Sequence, residues 1–114
     1  MENIVEEKSF RFAIRIVKLC KYLRNSKKEY TLSKQLVRAG TSIGANVTEA
    51  QQAQSKADFI SKLSIALKEA VETNYWIRLL NATDYLTEAE KDSILSDCEE
   101  LQRILTAIIK TSKE

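Results

Sequence analysis

The stretch Lys8-Ser9-Phe10-Arg11-Phe12-Ala13-Ile14-Arg15-Ile16-Val17-Lys18-Leu19-Cys20-Lys21-Tyr22-Leu23 lays one apolar row, Phe12, Ile16, Leu19 and Leu23, beside a second, Phe10, Ile14 and Val17. Both rows keep the three-and-four spacing of an α-helix. At about 100° per residue they cover well over half of the circumference, more than a single surface stripe. A helix from roughly Asn3 to Asn25 is therefore expected to touch neighbours on two sides. It ends in the polar run Asn25-Ser26-Lys27-Lys28-Glu29, where the period is lost.

The same period recurs three more times. A second helix starts near Thr31 or Ser33, either of which can cap it, and runs to about Ala53 with Leu32, Leu36, Ala39, Ile43, Val47 and Ala50 on one face. Gly40 and Gly44 each cost up to ~1 kcal/mol against alanine inside a helix. Their spacing, with Ala39 and Ala45 beside them, points to close approach of another backbone or to a local kink. A third helix begins with Ser55 as N-cap and Asp58 in a near capping box, and runs to about Asn81. Its apolar face is Phe59, Leu63, Ala66, Leu67, Ala70, Val71 and Ile77. The fourth opens with Thr87 and Glu90 in a full capping-box pattern, continues through Ile94, Leu95, Cys98, Leu101, Leu105, Ile108 and Ile109, and is expected to end near Lys110.

Four helices joined by short polar connections favour antiparallel neighbours, so the fold expected is all-α: one domain over residues 1–114, an up-down-up-down antiparallel four-helix bundle. With no proline and only two glycines, the chain lacks the punctuation that sandwiches and α/β folds need at their turns. No apolar run approaches the ~18 residues of a membrane span. The N-terminal Met1-Glu2-Asn3-Ile4-Val5-Glu6-Glu7 has neither the basic start nor the apolar stretch of a signal peptide, so a cytoplasmic protein without membrane contact is expected. Cys20 and Cys98 lie among apolar neighbours and read as reduced core thiols.

The absence of histidine removes the usual general base and the commonest zinc ligand. No enzyme, cofactor or metal is expected. The net charge is only +2, but the first half is basic while the last helix is acidic through Glu88, Glu90, Asp92, Asp97, Glu99 and Glu100. Lys8, Arg11, Arg15 and Lys18 recur at spacings of three and four and form one basic stripe, with Tyr22 next in line. That stripe could meet phosphates of RNA or DNA, or pair with the acidic fourth helix within the molecule or across a subunit boundary. The sequence leaves both uses open. On the second helix Arg38, Ser42, Asn46 and Glu49 form a polar row, to which Glu69 and Glu72 of the third add carboxylates. A polar network fixing helix register is the expected role, because buried amides and carboxylates must find partners. A two-metal site of the ferritin type would need Glu-x-x-His motifs that this chain cannot supply. Tyr75 and Trp76 could stack on unpaired bases or complete a core or subunit contact.

Taken in order, Gln35-Leu36-Val37-Arg38-Ala39, Ser42-Ile43-Gly44-Ala45-Asn46-Val47-Thr48-Glu49-Ala50, Phe59-Ile60 and Ala66-Leu67-Lys68-Glu69-Ala70-Val71-Glu72-Thr73 carry a resemblance. The chain resembles the four-helix-bundle proteins encoded in intervening sequences of bacterial 23S ribosomal RNA genes, and is similar to their relatives, the accessory variability proteins of diversity-generating retroelements. The most specific part is the Ser-Ile-x-x-Asn-x-x-Glu run from Ser42 to Glu49; Ala50 and Lys68 stand where the family has glycine. The resemblance implies a homo-oligomer, a homopentameric ring. In the retroelement branch it implies basic surface that binds nucleic acid and a reverse transcriptase as partner. The intervening-sequence branch takes its name from where its genes lie, so ribosome association does not follow.

Overall fold

Phe12, Ile16 and Leu23 of the first row lose all but a few per cent of their solvent exposure in the computed structural model, which describes residues 3–114. Met1 and Glu2, the start of the stretch read for a signal peptide, lie outside the described residues. The elements are α1 (Ile4–Asn25), α2 (Leu32–Ala50), α3 (Lys56–Ala82) and α4 (Glu88–Lys113), with no strand among the described residues. At 1.5 Å per residue the longest helix spans about 40 Å, which matches a particle measuring 44 × 23 × 20 Å with its helices along the long axis. Each helix packs on the next and α4 closes back on α1, while the diagonal pairs do not pack. Antiparallel order follows from the bonds between neighbours. Asn3 Nδ2 donates to Gln51 Oε1 at 2.7 Å, Lys62 Nζ meets Glu49 Oε1 at 3.1 Å, and Lys8 Nζ meets Glu100 Oε1 at 3.2 Å. Among the described residues no helix is long and apolar enough to cross a membrane.

The helix starts follow the capping rules with one correction. Asn3 and Ser55 accept from the backbone N–H three residues on, and Thr87 with Glu90 makes the reciprocal box. Neither Thr31 nor Ser33 caps α2 with its side chain. Glu29 does so instead, its carboxylate accepting from the N–H of Thr31, Leu32 and Ser33 at 3.1, 2.8 and 2.7 Å. Burial alone would push this carboxyl up, but the three backbone donors and the Ser33 hydroxyl hold it below its ordinary value. At their other ends, α2 stops at Ala50, short of Ala53, and α4 continues to Lys113, past Lys110.

The glycines lie on the α1/α2 seam. A Cβ at Gly44 would stand 3.2 Å from the backbone oxygen of Ser9, which is the close backbone approach their spacing implies. At Gly40 the neighbour is a side chain: a Cβ would meet both γ-carbons of buried Ile16 at 2.8 Å. On α3 the core takes Leu63, Ala66, Ala70, Thr73, Ile77 and Leu80. Val71, assigned to the apolar face by its type, is 52% exposed, because it lies outside the arc that the core residues share. Thr73 fits the core by donating its hydroxyl to Glu69 O at 2.7 Å.

Candidate functional site

The basic stripe of α1 is divided by its environment. Lys8 and Arg15 turn toward α4: Lys8 pairs with Glu100, while Arg15 reaches Asp97 at 2.6 Å, the Ser93 hydroxyl at 2.9 Å and the Ser93 carbonyl at 3.3 Å. These pairs sit in half-exposed surroundings and contribute roughly 0.2–1 kcal/mol each. Arg11, with a side chain 75% exposed, has one ion-pair partner among the described residues, Glu7 one turn back on its own helix, at 2.6 Å. Among the described residues Lys18 has no carboxylate within 4.0 Å.

The polar row of α2 divides too. Arg38 pairs with Glu69 at 3.4 Å and with Glu72, whose carboxylate also accepts the Trp76 indole N–H at 2.9 Å. The Trp76 donor and the Arg38 guanidinium outweigh the effect of burial and hold the Glu72 carboxyl below its usual value. About three turns along α2 from Arg38, Glu49 pairs with Lys62 of α3. Between these ties, Ser42 donates to Arg38 O at 2.6 Å and Asn46 to Ser42 O at 2.8 Å, both bonds within α2. The expected single network is thus two separate α2/α3 ties, and Asn46 bridges nothing, since its amide is satisfied by its own helix. Among the described residues no group of three or more His, Cys, Asp or Glu is placed to hold a metal ion. Tyr75 packs edge-on to Trp76 with ring centroids 5.0 Å apart. Burial pushes the Cys20 thiol up to about 11 and the Cys98 thiol to about 12, far from a reactive thiolate.

A stronger accumulation of charge begins where the stripe stops. Lys18, Lys21, Arg24, Lys27, Lys28 and Lys34 are six of the chain's 18 cations within seventeen residues, and none has an ion-pair partner among the described residues. The sole acid in that segment is Glu29, which is buried and committed to the start of α2. Two exposed tyrosines lie among the cations. The Arg24 guanidinium sits 5.1 Å from the Tyr30 ring centroid, and Lys27 Nζ sits 6.0 Å from that of Tyr22. Tyr22 and Lys18 also line a groove of about 550 Å³ between α1 and the start of α4. Glu90 lines it as well, but its carboxylate accepts the Thr87 N–H at 2.9 Å. Helical spacing stops at the end of α1 and so misses this segment; counting cations against acids across the α1–α2 connection finds it.

Apolar surface is also left uncovered. Phe10 is 67% exposed, and Ile14 and Val17 accompany it along α1. Beside them, Phe10 and Ala13 share a shallow groove of about 440 Å³ with Thr41, Gly44, Ala45 and Thr48 of α2. On the opposite corner of the bundle, Ile65, Val71 and Tyr75 of α3 stay in the open.

The model of the 23S rRNA-intervening sequence protein family matches residues 1–107. No curated protein matches the chain significantly. Among solved structures, a protein of unknown function from the S23 ribosomal protein family of Bacteroides thetaiotaomicron VPI-5482 superposes with a TM-score of 0.92 at 57% identity, covering 93% of this chain and 98% of its own. With the family model matching residues 1–107 and a solved relative 57% identical over nearly its whole length, the chain belongs to the 23S rRNA-intervening sequence protein family.

Proposed function

We propose that the protein is a non-enzymatic, cytoplasmic homo-oligomer that binds nucleic acid through positive surface repeated in every subunit. The observation that carries this reading is the segment Lys18–Lys34, whose six cations lack carboxylate partners among the described residues. Lys18 belongs to both the α1 stripe and this segment and Arg11 extends the surface along α1, whereas Lys8 and Arg15 serve chiefly to hold α4. One subunit offers only a few phosphate contacts and hence weak binding; several linked copies engage one strand together, and avidity supplies the rest. Support for self-association comes from the uncovered α1 and α3 residues, more apolar surface than a solitary bundle requires. The resemblance supplies the number, a pentameric ring. Light scattering checks the assembly, and fluorescence anisotropy with a long RNA or DNA at several salt concentrations checks the ligand. Affinity is expected to fall steeply with salt and to depend little on sequence, since released counterions drive it. A monomer at micromolar concentration, or no binding at low salt, overturns the corresponding half.

A second reading, a scaffold that binds only another protein, is favoured by those same apolar residues. The retroelement resemblance names a reverse transcriptase as the kind of partner to test. Capture of such an enzyme without salt-sensitive nucleic-acid affinity would select it.

A further inference from the structure

We infer that the basic end of the bundle selects single-stranded over double-stranded nucleic acid, with Tyr22 and Tyr30 stacking on unpaired bases while the surrounding cations hold phosphates. This rests on the nucleic-acid reading above and adds to it a strand preference and a mechanism of recognition.

Tyr22 and Tyr30 are exposed among lysines and arginine, where charge alone does not call for a ring. A row of cations alone attracts any polyanion, and a duplex, with its denser charge, the most strongly. Tyr22 and Tyr30 each present a partly open ring and each keeps a cation near it, Lys27 and Arg24. A ring face offers nothing to a duplex, whose bases are stacked on one another, but every unpaired base can stack on it whatever its identity. A cation over one face of a ring whose edge and other face are partly open brings together partners for one repeating unit of a single strand, a phosphate and a base.

The platform is also held in place. The α1–α2 connection is short, and Glu29 ties it down through three N–H donors of α2 while its own N–H donates to Leu23 O at 3.0 Å. Lys28 adopts the left-handed conformation at φ 55°, which a non-glycine residue holds only where its surroundings determine it. Fixed loop geometry lowers the ordering cost of binding. Glu90 of α4 lines the same groove, with one carboxylate oxygen accepting the Thr87 N–H.

The test uses the whole protein and fluorescence anisotropy at low salt, with a labelled oligothymidylate, a labelled duplex of equal length, and polyglutamate as competitor. Tyr22→Leu with Tyr30→Leu is compared with Tyr22→Phe with Tyr30→Phe, circular dichroism confirming that both pairs fold. The leucine pair is expected to weaken single-strand binding by about tenfold or more, leave duplex binding unchanged, and be rescued by the phenylalanine pair. If the leucine pair binds oligothymidylate as well as wild type, with the salt dependence intact, the stacking platform is wrong and the nucleic-acid reading stands. Displacement by polyglutamate as effective as by an oligonucleotide overturns the platform in favour of an acidic protein partner. Absence of wild-type binding to either strand form removes both.

Discussion

The two halves of α1 carry similar cations and meet different surroundings. In the first half Lys8 and Arg15 are taken up by Glu100 and Asp97 of α4, and Arg11 by Glu7. Beyond Arg15 the cations of α1 have no such partners among the described residues, although α4 is equally acidic there. The difference arises because the first turns of α4 spend their acids locally. Glu90 caps its own helix, and Glu88 and Asp92 both pair with Lys91, at 3.3 and 3.0 Å. Charge segregation in this bundle is thus set by competition from helix ends as well as by the facing of helices. A near-neutral protein thereby concentrates unpaired cations on the α1–α2 side of one end.

The sharpest way to break the comparison is at Glu29, the one acid of the free half. If its carboxylate belongs to the α2 backbone, Glu29→Ala costs about 1–2 kcal/mol, the value of a lost cap, and lowers the melting temperature with nucleic-acid affinity barely changed. The same assignment fixes a pH dependence. Because the folded carboxyl titrates below its ordinary value of 4.5, its contribution is complete above that value and is lost as pH falls through the lower folded one. Urea titrations between neutral and acid pH should show wild type losing part of its advantage over Glu29→Gln on acidification. A gap between the two proteins that is independent of pH would place the carboxylate elsewhere.

A smaller effect is expected in the paired half. Replacing Lys8 and Arg15 together by glutamate sets four acids along the α1/α4 seam and should cost about 1 kcal/mol in dilute buffer, the scale of exposed ion pairs, with much of the loss recovered at high salt. Equal melting at low and high salt would mean that the seam is held by its apolar contacts alone. The smallest effect belongs to Arg11→Ala. One exposed pair within a helix is worth ~0.2–0.5 kcal/mol, so melting should hardly move, and affinity for a polynucleotide should decline slightly.

Much of the fold was legible because its signals are local. Apolar spacing marks all four helices, and the caps at Ser55 and Thr87 with Glu90 are written in adjacent residues. Glu29 was not, because it precedes α2 by three residues and reaches forward over a connection whose left-handed turn at Lys28 no glycine announces. The pairing of Lys8 and Arg15 was open for a different reason. Helical periodicity says which residues share a face but not how two faces register, and register decides whether a cation finds a carboxylate. Asn46 illustrates the same limit: its place in the polar row of α2 was clear, but its bond to Ser42 O within the helix was one of several ways to satisfy it. Gly44 was legible in part, since its spacing offered close backbone approach beside a kink, and Ser9 O makes that approach.

Which cations meet the ligand is decided most directly by two charge-reversal pairs, one in each half. Lys21→Glu with Lys27→Glu and Lys8→Glu with Arg15→Glu are made in parallel, and binding to a long single-stranded polynucleotide is followed by anisotropy across a salt series, alongside melting and light scattering. The Lys21/Lys27 pair is expected to lose affinity and to flatten the salt slope, since fewer counterions are released, with melting and assembly unchanged. The Lys8/Arg15 pair should do the reverse, loosening the bundle while changing the slope less. Equal affinity in wild type and an intact Lys21/Lys27 variant, or loss confined to the Lys8/Arg15 pair, would contradict the assignment of the basic end as the binding surface.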